Sequence, residues 1–339
     1  MFRIRNLSLS WQATVMHAVA ANALETYDSI TIREDLSDAE NMISPVETPF
    51  MSRIAGRTTA SNKYHEWPVV ELSAVDSSNR VAEGEDAPSV DAPVLALRRG
   101  NYTQISDKVV KVSDTSQRVD GAAKVEKMSK QIAYKLKELK RDKETMMLAN
   151  VAADPGAATG ATIRKAAGLS AFSLTNDQLG TSGVSPTLSG TTNGYPNAAA
   201  TNGTLRNLDE TMLNTAIQAV WTEGGDPKYV LCSPTNKKTI SDFTGNATKY
   251  KSADDKKIVR SIDVYESDFG QVQIIPDRFS PARDVFVLDP EFIKIAELQT
   301  TRQMDLARTG HTENKLIQCE YTLEVGNEKA IAVIRDTNG

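Results

Sequence analysis

Arg33-Glu34-Asp35-Leu36-Ser37-Asp38 opens a pattern of sequence that continues to residue 150. The stretch Ile43-Ser44-Pro45-Val46-Glu47-Thr48-Pro49-Phe50-Met51-Ser52-Arg53-Ile54 follows it. A long polar region comes next and contains His65-Glu66-Trp67. The pattern closes with an amphipathic segment that extends from Val119 to Asn150. The order along the chain is therefore an arm, a two-armed polar stretch and a long helix.

The N-terminal region is predicted to lack a core of its own. Residues 16–57 mix small apolar residues, charges and prolines. One short helix is expected before Ser44-Pro45, because the residue that precedes a proline avoids helical backbone angles. Residues 1–15 precede a second methionine, Met16, and we interpret them as an extension that is disordered, removed, or read from an upstream start.

Residues 58–112 are predicted to form two β arms around a polar tip. The rising arm is Lys63–Leu72, the tip is Asp76–Ala92, and the returning arm is Tyr102–Val112. Pro68 cannot donate a hydrogen bond to a neighbouring strand, which favours an edge strand. A hairpin this long and polar cannot bury both faces against its own domain. It is either a flexible loop or an arm that lies on another molecule.

The segment Val119–Asn150 is predicted to be one helix. Its apolar residues recur in steps of 3, 4, 4, 3 and 7, which places them on one helical face. At a rise of 1.5 Å per residue the helix would span about 48 Å. We expect this face to pack on the core. Its members are Val125, Met128, Ile132, Leu136, Leu139 and Met146.

The opposite face of this helix is basic. Residues 124–143 hold seven lysines and one arginine against three acidic residues, a net charge of +5. The whole chain carries −5, which leaves −10 for the remainder. With a pI of about 5.5, the bulk charge gives no support for nucleic-acid binding. The basic face is either a solvated helix surface or a surface with a nucleic-acid partner.

Residues 151–207 have a different composition. The stretch between Asp177 and Arg206 contains no charged residue and is rich in Gly, Ser, Thr, Asn and Ala. It is predicted to be loop or weak β structure. Two interpretations stay open: a surface that meets other subunits, which suits its neutrality, and an ordinary flexible insertion.

Residues 208–339 are predicted to form a compact α+β unit. A helix is expected from Leu208 to Glu223, where two glycines stop it. A closing hairpin is expected around Gly326-Asn327, a favourable pair for a tight turn, with arms Lys315–Val325 and Lys329–Ile334. The other predicted strands are Tyr229–Cys232, Ile262–Tyr265, Val272–Ile275, Val285–Leu288 and Phe292–Leu298, with Gly270 turning the second into the third.

The sequence contains no pattern that indicates catalysis, a cofactor or a metal. Phosphate-binding, dinucleotide-binding, hydrolase and zinc-protease motifs are absent. His17, His65 and His311 lack the spacing of metal ligands. Cys232 and Cys319 are far apart and are predicted to be buried reduced thiols. No apolar run approaches the ~20 residues that cross a bilayer, so no membrane partner is expected.

The motifs at 33–38, 43–54 and 65–67, and above all the order of elements, resemble the major capsid proteins of tailed phages. The resemblance covers nearly all of the chain after residue 16 and implies the α+β fold named after phage Hong Kong 97. That fold has an N-terminal arm, an extended loop, a long spine helix, and peripheral and axial domains. The implied boundaries are N-arm 16–57, extended loop 58–112, peripheral domain with spine helix 113–153, axial domain 154–284 and peripheral return 285–339.

The resemblance implies a structural function without enzyme activity or cofactor. Many copies would assemble as pentamers and hexamers into an icosahedral head that encloses double-stranded DNA, bound without sequence preference. Further implied partners are a portal protein, a separate scaffolding protein and a decoration protein. The implied location is the virion, after assembly in the host cytoplasm.

The resemblance also assigns expectations to individual residues. The acidic extended loop, with a net charge of −5 between Glu71 and Asp91, would dock on basic residues of an adjacent subunit, unless it is merely solvated. The residues expected at contacts between subunits are Trp67, Arg80, Glu83, Glu85, Asp86, Arg98, Arg99, Arg53 and Arg57. The residues expected to face the interior and its DNA are Lys124, Lys127, Lys130, Lys137 and Arg141.

Three other functions are weighed against the phage head. An encapsulin-like bacterial compartment shares the fold but encloses an enzyme, and nucleic acid inside purified particles would separate the two. An enzyme with a long lid hairpin would be a soluble monomer with a deep polar pocket. A tail or adhesin protein would suit the β-rich stretches but not the long helix.

Overall fold

The structure is a computed structural model of the full chain. It describes residues 44–84, 86, 93–119, 127–158, 160–190, 193–243, 263–308 and 310–338. The signature at 33–38, the extension 1–15 and all of the arm before Ser44 lie outside the described residues.

The described residues form helices and strands that alternate along the chain, preceded by a single π-helical turn at Phe50–Ile54. The helices are α1 Asp114–Arg118, α2 Met128–Leu148, α3 Glu210–Thr222 and α4 Pro234–Ser241. The strands are β1 Gly56–Thr59, β2 Tyr64–Val69, β3 Leu97–Tyr102, β4 Gln104–Ser113, β5 Asp177–Gln178, β6 Thr187–Leu188, β7 Pro196–Ala198, β8 Tyr229–Cys232, β9 Val264–Ser267, β10 Gly270–Pro276, β11 Val285–Leu288, β12 Ile293–Asp305, β13 Thr312–Val325 and β14 Ile331–Ile334.

A six-stranded mixed sheet has the order β5-β14-β11-β8-β10-β9. Its central strands β8, β11 and β14 are almost entirely apolar, as expected of strands that are buried on both faces. One face, which includes Val230, Val287 and Ile334, packs on α3 and α4. The other face, which includes Leu231 and Phe286, joins the larger hydrophobic core of the molecule.

A four-stranded sheet has the order β1-β12-β13-β4, and α2 packs across it. Its buried face, with Ile295, Ile317, Tyr321 and Leu323, lies in the larger core. The predicted closing hairpin is wrong, because β13 pairs with β12 and β4 whereas β14 pairs with β11 and β5. The chain does turn after Val325, but a 3-10 turn then carries it from one sheet to the other.

The same pairing divides the strands that follow residue 285 between the two sheets. The strands β11 and β14, which were assigned to the peripheral return, belong to the six-stranded sheet beside β8. Only β12 and β13 of the last 55 or so residues build the four-stranded sheet. The reason is that short apolar strands without alternation suit a position that is covered on both faces.

The two-armed hairpin exists, but its returning arm differs from the prediction. The strand that pairs with β2 is β3, and β4 belongs to the four-stranded sheet. The strand β3 was not predicted because Arg98-Arg99-Gly100 is a polar run without the apolar alternation of a strand. Gly100 is required there because a Cβ atom would lie 2.7 Å from Cζ of Tyr64. Pro68 lies in this two-stranded ribbon opposite Arg98, as its missing N–H donor predicted.

The long helix is shorter than predicted. Val119 and Lys127 both have extended backbones, so α2 begins at Met128 and its 21 residues span about 32 Å. Val125 lies outside the described residues, and Leu136 is 42% exposed rather than buried. Met128 and Leu139 of the predicted face are buried in the core, and Ile132 packs against it. The core side of α2 also contains two charged residues, Lys143 and Glu144.

Residues 151–207 contain short strands and irregular structure, as predicted, together with a buried 3-10 turn at Leu169–Phe172. The helix predicted from Leu208 to Glu223 is confirmed as α3. Gly270 begins β10 with a φ of 129° and turns β9 into β10, as predicted. Cys232 and Cys319 are buried free thiols, which also confirms the prediction.

Candidate subunit-contact surfaces

The root of the hairpin, which we define as β2, β3 and the residues packed on them, contains a cluster of three tyrosines. The ring centroids of Tyr64 and Tyr102 are 4.7 Å apart, and those of Tyr102 and Tyr195 are 5.0 Å apart. Tyr195 belongs to the uncharged segment. Burial raises the pKa of Tyr64 to about 12, so this ring stays neutral. Aromatic pairs at such distances stabilise the ribbon beyond their buried area.

The uncharged segment is joined to the root through its backbone. The amide of Gly100 donates to the carbonyl of Gly194 at 3.0 Å, and the amide of Gly194 donates to the carbonyl of Arg98 at 2.8 Å. The amide of Arg98 donates to Oδ1 of Asn193 at 2.7 Å. This part of the segment therefore lies against its own hairpin.

Two buried side chains fix the root to the core. Trp67 is 6% exposed, and its ring lies 6.2 Å from that of Phe172. Its own chain therefore covers most of Trp67, and its contact with a neighbouring subunit stays a prediction. Nδ2 of Asn101 donates to the carbonyls of Ala167 and Leu323, and its Oδ1 accepts from the amide of Ala167. Sequence reasoning missed Asn101, since nothing in a single Asn marks it as a buried link.

A charged cluster holds the base of the hairpin beside α3. Nζ of Lys329 lies 3.3 Å from Glu71 of the hairpin and 3.1 Å from Glu223 at the end of α3. Hydrogen bonding to Glu223 raises the pKa of Lys329. Arg99 is half-buried nearby, and burial lowers its pKa although Glu328 and Glu71 oppose that shift.

The tip of the hairpin, residues 70–96, has the opposite character. Leu72 is 85% exposed and Val75 is 97% exposed. Arg80, Glu83 and Asp86 are exposed as well, whereas Glu85 lies outside the described residues. Several large apolar residues exposed in one segment favour a contact with another molecule. The large apolar residues exposed in the tip are Val70, Leu72, Val75, Val81, Val94 and Leu95.

The remaining residues predicted at subunit contacts are basic and lie in two places. Arg98 on the outer side of the root is exposed and lies 3.9 Å from Glu66. Arg53 in the π-helical turn is exposed. Arg57 on β1 is mostly exposed and lies 3.5 Å from Glu297. The chain therefore presents an acidic tip and, elsewhere, solvent-facing arginines.

The basic face of α2 is partly neutralised by its own chain. Nζ of Lys127 donates to the carbonyls of Gln117 and Val119 at 2.6 and 3.0 Å. Lys137 is exposed, and Lys130 and Arg141 are half-buried. Lys124 lies outside the described residues. Lys135 forms an ion pair with Glu138 of the same helix, whereas Asp142 of the helix pairs with Lys108 of β4.

The C-terminal half of α2 carries two buried charges that the sequence did not reveal. Nζ of Lys143 lies 3.1 Å from Glu297 and 4.7 Å from the centre of the Tyr321 ring. Glu144 accepts hydrogen bonds from the amides of Phe50 and Met51 at 2.7 and 3.0 Å. These contacts fix the π-helical turn and β12 to the helix.

Residues 16–338 match the family model described as SU10 major capsid protein. The chain belongs to this family. It is a major capsid protein of the kind found in tailed phages, and the predicted α+β fold of the Hong Kong 97 type is confirmed.

Individual relatives agree with the family. The major capsid protein of Escherichia phage Phieco32 is 24% identical over 337 residues, which cover 91% of this chain and 95% of that protein. The capsid structure of cyanophage A-1(L) is similar with a TM-score of 0.64 at 15% identity, over 93% of this chain and 99% of that one. The SrpI encapsulin of Synechococcus elongatus shares the fold with a TM-score of 0.52 at 11% identity, over 90% and 92%.

The described part of this capsid protein contains neither a candidate metal site nor a membrane-spanning helix. There, no group of three or more His, Cys, Asp or Glu side chains could hold a metal ion. None of the described helices is long and apolar enough to cross a membrane. His65 bonds Glu324 at 2.9 Å, whereas the adjacent Glu66 lies beside Arg98, so the two side chains do not act together.

Proposed function

We propose that this capsid protein assembles as pentamers and hexamers into an icosahedral head that encloses the double-stranded DNA of a tailed phage. The observation that carries the proposal is the contrast within the hairpin, whose root is fixed in the core while its apolar, acidic tip projects. A tip of this kind needs a partner surface, and in a closed shell the partner is another copy of the chain.

The acidic tip is proposed to dock on exposed arginines of the adjacent subunit. Arg53 and Arg57 lie close together in sequence on the π-helical turn and β1, and both are exposed. Arg98 is the alternative docking site for the acidic tip. Opposite charges on two surfaces fix the register of assembly and suppress wrong partners, while the exposed apolar residues supply most of the buried area.

The exposed part of the basic α2 face is proposed to lie toward the interior, close to DNA. Lys137 and Arg141 are the candidates, because Lys127 is engaged by its own chain. Contacts of lysine and arginine with phosphates have no sequence preference, which suits a shell that packages a whole genome.

The predicted division of labour follows from this proposal. The extended loop at 58–112 and the N-arm at 16–57 join neighbours, and the six-stranded sheet forms the axial region around the capsomer axis. A portal protein would occupy one vertex, and a separate scaffolding protein would guide closure in the host cytoplasm. A decoration protein would bind the outer surface.

The alternative is a compartment shell of the encapsulin type, because the SrpI encapsulin has a similar fold. The first experiment is electron microscopy of particles made by the full-length protein, alone and with the neighbouring genes of its genome. Closed shells that contain phage DNA support the proposal. Closed shells that contain a protein cargo and no DNA would favour the alternative, and a stable monomer under all conditions would contradict both.

Charge reversal tests the docking proposal directly. Glu83→Lys, Glu85→Lys and Asp86→Lys together should abolish shell closure, because the tip would then repel the arginines. The subunit should stay folded, since Glu83 and Asp86 are exposed. Circular dichroism measures folding, and electron microscopy counts closed shells. Adding Arg53→Glu and Arg57→Glu should restore closure, because the two surfaces are complementary again.

The matched control for that experiment is the triple reversal combined with Arg98→Glu. Rescue of closure by this combination, without rescue by the Arg53 and Arg57 changes, would mean that the acidic tip docks on Arg98 at the root of the hairpin. Normal shells from the triple reversal alone would show that the acidic tip does not dock on a charged surface.

A further inference from the structure

Glu144 and Asp277 lie where three parts of the molecule meet. Both side chains are buried, with 0% and 1% of their surface exposed. Glu144 on α2 holds the amides of Phe50 and Met51. Asp277 follows β10 in the six-stranded sheet, where its own amide donates to the carbonyl of Cys232 at 2.8 Å.

The two carboxyl groups face each other without a neutralising cation among the described residues. The groups that act on Glu144 are Asp277 and the two amides, and those that act on Asp277 are Glu144 and the amide of Phe279. The adjacent Lys143 points away, toward Glu297. Two carboxylates in contact inside a protein do not both stay ionised.

The other charged and titratable groups around the pair do not change this conclusion. Arg53 in the π-helical turn is exposed. Lys237 on α4 lies 3.5 Å from Asp263 and donates to the carbonyl of Ile274. The thiol of Cys232 stays neutral, since burial raises its pKa to about 12.

The hydrogen bonds of Asp277 are incomplete in the ionised form. Its Oδ1 accepts from the amide of Phe279 at 2.9 Å. Its Oδ2 is buried and has no donor within the described part of the chain. A buried acceptor without a donor is destabilising, because it has lost its hydrogen bonds to water. A protonated Glu144 would supply the missing donor and keep both of its own acceptor oxygens for the amides.

We propose that Glu144 and Asp277 share one proton, and that this proton fastens the turn Phe50–Ile54 to α2 and to the six-stranded sheet. With the proton present, the hydroxyl of Glu144 donates to Oδ2 of Asp277. When the proton leaves, two negative charges lie in contact, and the turn is held less firmly. The pair is thus a proton-dependent latch on the chain that enters the subunit from its N-terminal arm.

The direction of the pH dependence follows from the raised affinity for the proton. Burial, and then the charge of Asp277, raise the pKa of Glu144 from 4.5 to about 8. The latch is therefore strongest below about pH 4.5 and weakens as the pH rises to about 8. Between pH 6 and 8, opening of the turn should become about tenfold easier for each pH unit, with no further change above that range.

Amide hydrogen exchange on the full-length protein tests the latch. The protection of the Phe50 and Met51 amides is measured from pH 6 to 9, after correction for the chemical exchange rate of a free amide. The expected wild-type result is a loss of protection of about tenfold per pH unit up to pH 8. A flat wild-type profile would overturn the proposal.

Two variants and one control separate the latch from a general effect of pH. Asp277→Asn keeps the shape and removes the second charge, whereas burial of Glu144 remains, so the pH at which the loss of protection levels off should fall below the wild-type value of about 8. Glu138→Gln, a half-buried acid on the same helix, should behave like the wild type. A curve for Asp277→Asn that levels off at the same pH as the wild type would contradict the shared proton.

An infrared measurement provides a second readout that does not require the turn to open. Other buried acids, Asp177 among them, also have raised pKa values, so the difference between the spectra of the wild type and Glu144→Gln isolates the pair. In that difference spectrum the band of a protonated carboxyl group should be present at pH 6 and weaken through pH 8. The absence of this band from the difference spectrum at pH 6 would contradict the proposal.

Discussion

The root and the tip of the hairpin are continuous in sequence, yet their surroundings are opposite. At the root, Trp67 and Asn101 are buried and contact residues from three other parts of the chain. In the tip, Leu72 and Val75 are apolar and almost fully exposed. The difference shows that an apolar residue indicates a core only when the chain supplies a partner for it. The proposed function supplies that partner for the tip from another copy of the chain.

The two halves of α2 repeat the contrast on one helix. The C-terminal half carries Lys143 and Glu144, which are buried and bonded to distant parts of the chain. The half nearer the N-terminus presents Lys137 and Leu136 to solvent. In the hairpin and in α2 alike, one end is buried within the subunit and the other end has exposed residues.

The largest expected effect comes from truncating the root. Trp67→Ala should lower the free energy of unfolding by about 3–5 kcal/mol, because it leaves a cavity beside Phe172 in the main core. Leu72→Ala, the matched change in the tip, should alter it by less than about 0.5 kcal/mol while it impairs assembly. Chemical denaturation of the unassembled subunit measures the first effect, and particle counts by electron microscopy measure the second. Equal free energies of unfolding for the two variants would contradict the claim that the root, and not the tip, is fixed in the core.

The next effect concerns the buried amide of the root. Asn101→Ala removes three hydrogen bonds and leaves the buried amide of Ala167 without its acceptor. The expected loss is about 1–3 kcal/mol. Asn193→Ala is the control, since that side chain also bonds the ribbon but is exposed. If the two variants lose equal stability in the same denaturation experiment, burial of Asn101 is not what fixes the root.

The sequence predicted the parts of this molecule that are governed by local pattern. The helix α3, the strand β11 and the turn at Gly270 each follow from periodicity, an apolar run or a glycine. The presence of a long hairpin and a long helix also followed from their patterns. The resemblance to tailed-phage capsid proteins rested on the order of these elements, which is why it survived errors in several boundaries.

The rest was hidden because it depends on residues far apart in the chain. Asn101 bonds a carbonyl 222 positions away, and Glu144 bonds an amide 94 positions away. No local pattern distinguishes a buried lysine or glutamate on α2 from the exposed ones around it. For the same reason, the sequence could not show that Trp67 packs against Phe172 of its own chain.

The smallest expected effect lies at the border between root and tip, where Lys329 joins Glu71 to Glu223. The ammonium group is partly exposed, so solvent screens both ion pairs, and Lys329→Ala should cost less than about 1 kcal/mol in the denaturation experiment. Lys329→Met keeps the apolar stem and isolates the charge. The stability that Lys329→Met loses relative to the wild type should be smaller in 1 M salt than in low salt, because the screening length is then about 3 Å. A loss above about 2 kcal/mol that persists in high salt would mean that Lys329 belongs to the buried root, and the boundary between the two regions would then move outward to Glu71.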